Sequence, residues 1–435
     1  MKRRILTTTV FLLATIVGTA VVAQTQGQRQ SNAANAANAA NAANYTLSGP
    51  YAHKNLTIFL IQGKDQTTGK PPLTLQEAMK QKKVVVRETG DVNELTIQNR
   101  SQEEVFVQAG DIVKGGQQDR VLALDLILPP KSGRIAINAF CVEHSRWNQR
   151  GGEAVTAFSV SDKMLSTKGL KLAARNSRSQ EEVWQNVSVA QDKLAKNYVA
   201  SKGLPGGVPT NLSGGVLAGG GGSGHRAVVD TNTGAGDIAP DNSRPTVARP
   251  AELSANARQN AIRVSPNMVY TPNAGLTLAE QQGLTSVTSR VSPTSLQLTL
   301  ENQNVKELST AYATQLASII TGKKDVIGYV FAINGQMNSA DVYSSNALFK
   351  KLWPKLLDAS AIEAFAELDQ AATSEPATAE VAKAFLRDAE TGKAETKNLR
   401  PRTKMIKRES DKNLLFETRN RNRADVWLHR SYLAK

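Results

Sequence analysis

The sequence predicts an α+β domain, built mostly from antiparallel sheet with packed helices and interrupted by a long disordered insertion. Between residues 84 and 140, short β-type runs follow one another with polar turns between them, which is typical of antiparallel sheet. Helix-start signals and apolar helix faces stand before and after these runs. From about residue 203 to 251, Gly, Pro, Ser and Asn dominate, and such a segment cannot offset the entropy cost of ordering.

These observations divide the chain into two packed parts and several looser segments. We expect one α+β domain assembled from residues 51–197 and 296–370, with residues 198–295 as a flexible Gly/Pro-rich insertion. Residues 24–50 are predicted to be a tether, because an Asn-Ala-Ala triplet repeats there and no core can form. Residues 371–435 are predicted to be a basic C-terminal region with a last hairpin.

The first 23 residues have the order of a secretory signal. A short cationic start at Met1 to Arg4 precedes the uncharged apolar run from Ile5 to Val22, and small residues end it before Gln24. About 18 apolar residues can also just span a bilayer, but the threonines and the small-residue exit favour cleavage. We therefore expect an exported protein, periplasmic or secreted, without a stable transmembrane span once the signal is removed.

Charge and cysteine content restrict the partners that such a protein would meet. The formal net charge is +15, and removing the three basic residues of the signal leaves +12. A basic surface attracts anions, and outside the cytoplasm these are small anionic molecules or envelope components rather than nucleic acid. A single cysteine permits no internal disulfide, so an ordinary apolar core must stabilise the fold.

The elements of the first part are predicted in chain order. The apolar run Leu56–Ile61 predicts a buried strand, and Thr74 with Glu77 has the spacing of a capping box that starts a helix reaching about Lys82. Five further β-type runs follow, at Val84–Arg87, Glu94–Gln98, Val105–Gln108, Val121–Leu128 and Arg134–Phe140. A helix is predicted from Ser179.

The second part predicts a helix, a hairpin and another helix. The first helix covers Val305–Ile320, and Asn334-Gly335 between two β-type runs is a strong hairpin signal. Ser345 opens the next helix, whose apolar face is interrupted by Pro354 and is expected to be kinked there. The hairpin of the C-terminal region pairs Leu414–Thr418 with Val426–Leu433.

Two polar segments beside predicted strands are the candidate functional site. The first, Gly110–Arg120, precedes one strand, and the second, Cys141–Trp147, follows another, so antiparallel pairing would bring them together. Glycines in the first segment allow close approach of an anion to backbone N–H groups. The segment is not a P-loop, and a plain glycine-rich turn with paired charges remains an alternative. The candidate ligand-binding residues are Asp111, Lys114, Gln118, Arg120, Glu143 and Arg146.

The same segments also suggest a catalytic alternative. Cys141 would be the nucleophile, His144 its base, and Glu143 or Asp111 would orient the base; Cys, His and Glu are also metal-ligand types. Against this, Cys141 ends an apolar strand, where cysteine is usually a small buried hydrophobe. The remaining histidines have no neighbours at ligand spacing, and we expect neither a cofactor nor a metal.

Several motifs of the sequence occur together in a known family. They are Leu73–Ala78, Ala109–Val121, Cys141–Glu143, Arg146-Trp147, Val183-Trp184, Gly328 and Leu348-Phe349. Through these motifs the sequence resembles the ARG and Rhodanese-Phosphatase-superfamily-associated protein domain family, over roughly residues 50–197 and 300–370. The resemblance implies an association with ADP-ribose or phosphoester chemistry, but it carries no catalytic mechanism residue by residue.

Two functional hypotheses remain open at the level of sequence. The first is an exported binding or interaction module in which Asp111 sets the loop geometry and the site takes a phosphate- or carboxylate-bearing ligand. The second is a hydrolase of a nucleotide, ADP-ribosyl or phosphoester-type substrate. A buried Cys141 favours the module, whereas an open cleft with thiol and imidazole in hydrogen-bond reach favours the enzyme.

Overall fold

The computed structural model describes residues 44–67, 69–144, 146–203, 276–369, 375–399, 401–423 and 426–435. The predicted signal peptide, most of the tether and most of the insertion lie outside these ranges. Within them the chain forms eight α-helices and seventeen strands.

The helices are spread along the described chain, and four of them exceed twelve residues. Their bounds are α1 Leu75–Lys80, α2 Lys168–Leu172, α3 Gln180–Ser201, α4 Leu278–Val287, α5 Leu296–Glu301, α6 Gln303–Leu316, α7 Asn346–Ala366 and α8 Ala379–Thr391. A π-helical turn, Ala173–Ser177, joins α2 to α3, and a 3₁₀ turn, Ala317–Ile320, follows α6.

The strands fall into a group before the long gap in the described chain and a group after it. The first group is β1 Thr46–His53, β2 Leu56–Gln62, β3 Leu73–Thr74, β4 Val84–Asp91, β5 Glu94–Asn99, β6 Val105–Val107, β7 Asp111–Gly115, β8 Arg120–Leu122, β9 Leu126–Leu128, β10 Gly133–Cys141 and β11 Phe158–Met164. The second group is β12 Val326–Ile333, β13 Gln336–Tyr343, β14 Lys393–Leu399, β15 Thr403–Glu409, β16 Asn413–Asn420 and β17 Val426–Ala434.

Three sheets organise these strands, and all their pairings but one are antiparallel. The largest has the order β1-β2-β12-β13-β17-β16-β15-β14, the second β11-β7-β8-β10-β5-β4 and the smallest β3-β6-β9, with β3 and β6 parallel. Strand β2 pairs with β12, so the two predicted parts share one sheet. The α+β prediction with mostly antiparallel sheet is therefore confirmed.

Strand β2 shows why the eight-stranded sheet is apolar on both faces. Ile58 and Leu60 pack into a core with α3, α6 and α7, whereas Phe59 and Ile61 pack into a second core with α8. Successive side chains of a strand point to opposite faces, so a strand covered on both sides must be a continuous apolar run. A third core lies among β4, β5, β10 and the smallest sheet.

Local sequence signals account for several element ends. Thr74 and Glu77 form the predicted capping box of α1: the Glu77 N–H donates to Thr74 Oγ1 over 3.1 Å and the Thr74 N–H to Glu77 Oε2 over 2.9 Å. Asn334 and Gly335 have φ values of 49° and 73°, as the predicted two-residue hairpin turn requires. Helix α7 continues through Pro354.

The stretch predicted as one strand, Val121–Leu128, is two strands in different sheets. Strand β8 ends at Leu122 in the six-stranded sheet and β9 begins at Leu126 in the smallest sheet. Between them the chain passes from one sheet to the other, and the buried Asp125 accepts the Ala109 N–H at 2.7 Å.

Three predicted boundaries also differ from the structure. Strand β1 begins at Thr46 within the predicted tether, and α4 lies within the predicted insertion, where a capping box of Thr277 and Glu280 starts it. Gly283 of α4 approaches the backbone of α3 so closely that a Cβ would lie 2.8 Å from the Ala195 carbonyl oxygen.

The predicted C-terminal hairpin is formed by β16 and β17, but β17 also pairs with β13. Strands β14–β17 therefore belong to the eight-stranded sheet.

None of the helices in the described ranges could cross a membrane. Every α-helix there is too short or too polar to cross a bilayer.

Candidate functional site

The two polar segments predicted from the sequence lie side by side in the six-stranded sheet. Strand β8 pairs antiparallel with β10, and Arg120 is opposite Cys141. The turn between β7 and β8 therefore lies next to the loop after β10. The first segment is more regular than predicted, because Asp111–Gly115 is strand β7 rather than loop.

The turn between β7 and β8 requires glycine at two consecutive positions. Gly115 and Gly116 have φ values of 113° and 59°, in the left-handed region that glycine adopts without strain. A Cβ on Gly116 would lie 2.5 Å from the Phe158 ring and 2.9 Å from Glu88 Oε2. The glycines therefore permit the close approach of a carboxylate, but this carboxylate is the protein's own.

Carboxylates of the chain accept hydrogen bonds from the turn's backbone N–H groups. The Gly115 N–H donates to Asp119 Oδ1 at 2.9 Å and the Gln117 N–H to Glu88 Oε2 at 3.3 Å. The Asp119 N–H donates to Glu143 Oε2 at 3.4 Å. The expected backbone cradle for an external anion is therefore filled internally by three acidic side chains.

Two arginines neutralise the buried carboxylates at this turn. Arg146 donates to Glu143 through Nε at 2.7 Å and Nη2 at 2.6 Å. Arg150 donates to Asp119 through Nη1 at 2.8 Å and Nη2 at 3.0 Å. Both pairs are bidentate, the geometry in which arginine binds carboxylate most strongly.

The second part of the chain completes this cluster. Ser295, the N-cap of α5, donates from Oγ to Asp119 Oδ2 at 3.0 Å, and Ser292 donates to Glu143 Oε1. The sequence prediction missed Arg150, Ser292 and Ser295. The polar residues 148–153 are the local signal that could have indicated Arg150. The two serines had no such signal, because they follow the insertion in the sequence.

Two predicted site residues lie apart from the cluster. Asp111, at the other end of β7, pairs with Lys355 of α7, and both side chains are buried. Asp111 Oδ2 also accepts the Gln108 N–H at 3.0 Å. Lys114 pairs with Glu301 of α5 at 2.5 Å. These charges join β7 to the second part of the chain.

Arg120 differs from the other cations because its guanidinium is buried but incompletely paired. Its Nη1 donates to the Gln118 carbonyl oxygen at 3.0 Å, and Nη2 lies 3.6 Å from Glu88 Oε2. Its Nε and Nη2 have no hydrogen-bond acceptor. Trp147 covers the guanidinium with its ring centroid 5.4 Å from Cζ, and this tryptophan is 42% exposed. The neighbouring Gln118 Oε1 also has no partner.

The thiol of Cys141, the nucleophile of the catalytic alternative, is buried. Cys141 is fully buried, its Sγ lies 3.8 Å from the Val92 carbonyl oxygen, and burial raises the pKa of the thiol to about 12. The Cys141 N–H donates to Gln180 Oε1, and Gln180 Nε2 donates to the Cys141 carbonyl oxygen, both at 2.8 Å. The thiolate is the nucleophilic form of cysteine, so this environment opposes nucleophilic catalysis.

The other members of the catalytic alternative are also held by structural contacts. The His144 ring packs edge-on against Trp184 with centroids 4.6 Å apart, and burial lowers the pKa of His144. Trp184 Nε1 donates to the Glu143 carbonyl oxygen at 3.1 Å. In the described ranges, no group of three or more His, Cys, Asp or Glu residues is arranged to hold a metal ion.

A second buried charge cluster was not predicted from the sequence. His429, which has no neighbour at ligand spacing along the chain, lies between two acids: Nδ1 is 2.7 Å from Asp125 Oδ2 and Nε2 is 3.1 Å from Asp341 Oδ1. Tyr343 stacks on its ring at a centroid distance of 4.6 Å. Burial alone lowers the pKa of His429, but the two carboxylates raise it to about 9.

Comparison with known proteins assigns the family. The model of the ARG and Rhodanese-Phosphatase-superfamily-associated Protein domain matches residues 44–202 and 279–433. The chain therefore belongs to this family, and the match covers both parts of the domain and the C-terminal strands. No curated protein matches the chain. No solved structure matches it either.

Proposed function

We propose that this protein is an exported binding module whose anion-binding group is the Arg120 guanidinium beneath Trp147. One observation carries the proposal: Arg120 is a buried cation with two nitrogens that lack acceptors. An unpaired buried donor is costly, and a charged one more so. A phosphate or carboxylate oxygen at this position would remove that cost.

The surroundings of Arg120 support an anion in preference to a cation. Glu143 and Asp119 already have guanidinium partners, and Glu88 accepts the turn N–H of Gln117 and lies 3.6 Å from Arg120 Nη2. Among the three arginines at this turn, Arg120 is the one with hydrogen bonds left to make. A planar guanidinium matches the oxygens of phosphate and carboxylate.

Access to Arg120 requires movement of Trp147. The tryptophan ring is partly exposed and lies over the buried guanidinium in a cation–π contact, which is worth about 2 kcal/mol when the cation is desolvated. A ligand that reaches Arg120 must replace this contact. A phosphate-type ligand makes charge-assisted hydrogen bonds to the guanidinium, and these offset the cost of displacing the ring.

Export and composition support an extracytoplasmic anion as the ligand. The signal-like N-terminus and the basic net charge both favour a partner such as a phosphorylated or carboxylated small molecule or an envelope component. The family description names an association with the Rhodanese-Phosphatase superfamily, which agrees with a phosphoester-type anion. The buried thiol of Cys141 favours binding over the hydrolase alternative.

Calorimetric titration of the mature chain from Gln24 with pyrophosphate and with ADP-ribose tests the proposal. We expect Arg120→Lys to weaken binding about tenfold, because the bidentate fork is lost. The matched control is Arg134→Lys, which makes the same change at an exposed position of β10 and should leave binding unchanged. Thermal unfolding of each variant checks that the fold is intact.

Trp147→Ala separates the proposed site from binding elsewhere on the basic surface. Without the ring, the ligand no longer has to replace the cation–π contact, so binding should tighten about thirtyfold. Equal affinities for wild type, Arg120→Lys and Trp147→Ala would contradict the proposal. Hydrolysis of ADP-ribose that is lost in Cys141→Ala would instead favour the hydrolase.

A further inference from the structure

A cleft separate from the Arg120 site lies between the start of α2, the middle of α3, the β12–β13 hairpin and the end of α7. Its volume is about 390 Å³, within the range of about 300–1,000 Å³ typical of small-molecule sites. Its polar lining includes Lys168, Asn186, Lys193, Asn338, Glu363 and Glu367. Val189 and Met337 add apolar surface.

Two buried side chains that line this cleft have hydrogen bonds left to make. Glu363 is 1% exposed and Asn338 is 6% exposed. Glu363 Oε1 accepts from Asn338 Nδ2 at 2.8 Å and from the Lys168 N–H at 2.5 Å. Glu363 Oε2 and Asn338 Oδ1 have no hydrogen-bond partner. Buried polar atoms are almost always paired, so two neighbouring exceptions at one cleft indicate a missing partner.

The charges of the cleft are balanced, which argues against an ionic ligand. Lys193 is held by Glu367 through both carboxylate oxygens at 2.6 and 2.7 Å. The positive charge of Lys171 acts on Glu363 from the helix that begins with Lys168. A cationic ligand would meet these lysines, and an anionic ligand would meet Glu363 and Glu367. A neutral ligand avoids both repulsions.

The unpartnered atoms select a hydroxyl as the ligand's hydrogen-bonding group. Burial raises the pKa of Glu363, so its second oxygen is either an acceptor or, when protonated, a donor. Asn338 likewise offers a carbonyl oxygen or, if its amide is turned over, an NH₂ group. A hydroxyl both donates and accepts, and it therefore pairs with either atom in either state.

We propose that this cleft binds a neutral polyhydroxylated ligand of monosaccharide size. Its hydroxyls pair with Glu363 and Asn338, and its apolar C–H faces pack against Val189 and Met337. The site is independent of Arg120, and the proposal does not rest on the anion-binding function.

Saturation-transfer NMR of the mature chain with glucose, galactose and N-acetylglucosamine at millimolar concentration tests this site. We expect signal transfer to at least one of these sugars. Val189 is 48% exposed on α3, so Val189→Trp fills the mouth of the cleft without disturbing the core and should weaken sugar binding about tenfold. The matched control is Ala200→Trp, at an exposed position on the same helix outside the cleft, which should bind as the wild type does.

Glu363→Gln keeps the shape of the side chain but replaces the second carboxyl oxygen with an NH₂ group that only donates, so it should weaken sugar binding about fivefold. Arg120→Lys should leave sugar binding unchanged, which distinguishes this site from the anion site. The proposal is overturned if no sugar gives a signal that Val189→Trp reduces. It is equally overturned if putrescine, phosphate or Mg²⁺, but no sugar, raises the melting temperature in a manner that Val189→Trp abolishes.

Discussion

His429 Nδ1 lies 2.7 Å from Asp125 Oδ2, although the two residues are separated by 304 positions in the chain. Asp125 stands between β8 and β9 in the first part, and His429 belongs to β17 near the C-terminus. The same imidazole also contacts Asp341 of β13. One buried histidine therefore joins three regions of the sequence.

This arrangement predicts a loss of stability at alkaline pH. The pKa of His429 is raised from 6.5 to about 9 in the folded state. A raised pKa contributes stability that is fully present below about pH 6.5 and is lost as pH rises through about 9. We expect the urea midpoint of unfolding to fall across this interval.

A pair of histidine variants isolates this effect. His429→Gln should lower the urea midpoint at pH 6 and flatten its decline between pH 6.5 and 9, because the titrating group is absent. His53→Gln is the control, since burial lowers rather than raises the pKa of His53. If His429→Gln keeps the wild-type slope, another group causes the pH dependence.

The elements that sequence patterns predicted are those determined locally. The run Leu56–Ile61, the Asn334-Gly335 turn and the capping box at Thr74 each depend on neighbouring residues, and each was placed correctly. Strand β11 was missed because its sequence, FSVSDKM, is too polar for a β-type run. Tertiary packing of Phe158 and Met164 decides that strand.

The candidate site was predicted only in outline, for the same physical reason. Strand order brought Gly110–Arg120 beside Cys141–Trp147, but the partners of the charged groups are remote. Asp111 pairs with Lys355, and Lys114 pairs with Glu301. The partner of a buried charge is fixed by how helices pack on a sheet, which residue spacing does not encode.

Limited proteolysis should cut the chain first between Gly203 and Ala251, where the sequence predicts a solvated insertion. The two fragments should stay together, because β2 of the first pairs with β12 of the second over seven residue pairs. Size-exclusion chromatography of the cleaved protein measures this directly. Separate elution of the fragments without denaturant would contradict a single domain.

Mass spectrometry of the protein made from the complete sequence in a bacterial host tests export. We expect an N-terminus at Gln24 and recovery from the periplasm or the medium. Replacing Ala23 by a bulky residue such as Tyr should leave the precursor uncut, while Ala14→Tyr within the apolar run should not move the cleavage point. A product that retains Met1 in the cytoplasmic fraction would refute the prediction.

The thiol of Cys141 should react with a disulfide reagent only after denaturation. Burial raises its pKa to about 12, so almost no thiolate is present at neutral pH. Cys141→Ala should lower the free energy of unfolding by about 1 kcal/mol. Rapid labelling of the native protein that slows in His144→Ala would show instead that the imidazole activates an accessible thiol.

The last prediction compares a buried ion pair with a partly exposed one in the same region. Asp119 is fully buried and accepts hydrogen bonds from Arg150, Ser295 and the Gly115 N–H. Asp119→Asn removes the bidentate partner of the buried Arg150 guanidinium, which keeps only Glu153 at 2.9 Å and Glu143 at 3.7 Å. The free energy of unfolding should fall by about 2–3 kcal/mol, less than the loss of about 3–5 kcal/mol for a buried charge left with no partner.

Glu301→Gln is the matched control for this substitution. It breaks the Lys114–Glu301 pair, whose side chains are 23% and 32% exposed, and water can solvate the remaining lysine. The loss should be less than about 1 kcal/mol. Urea unfolding of both variants at pH 7 gives the two values. Equal losses would mean that the Asp119 cluster is hydrated in solution, and the filled turn between β7 and β8 would then be open to an external anion as well.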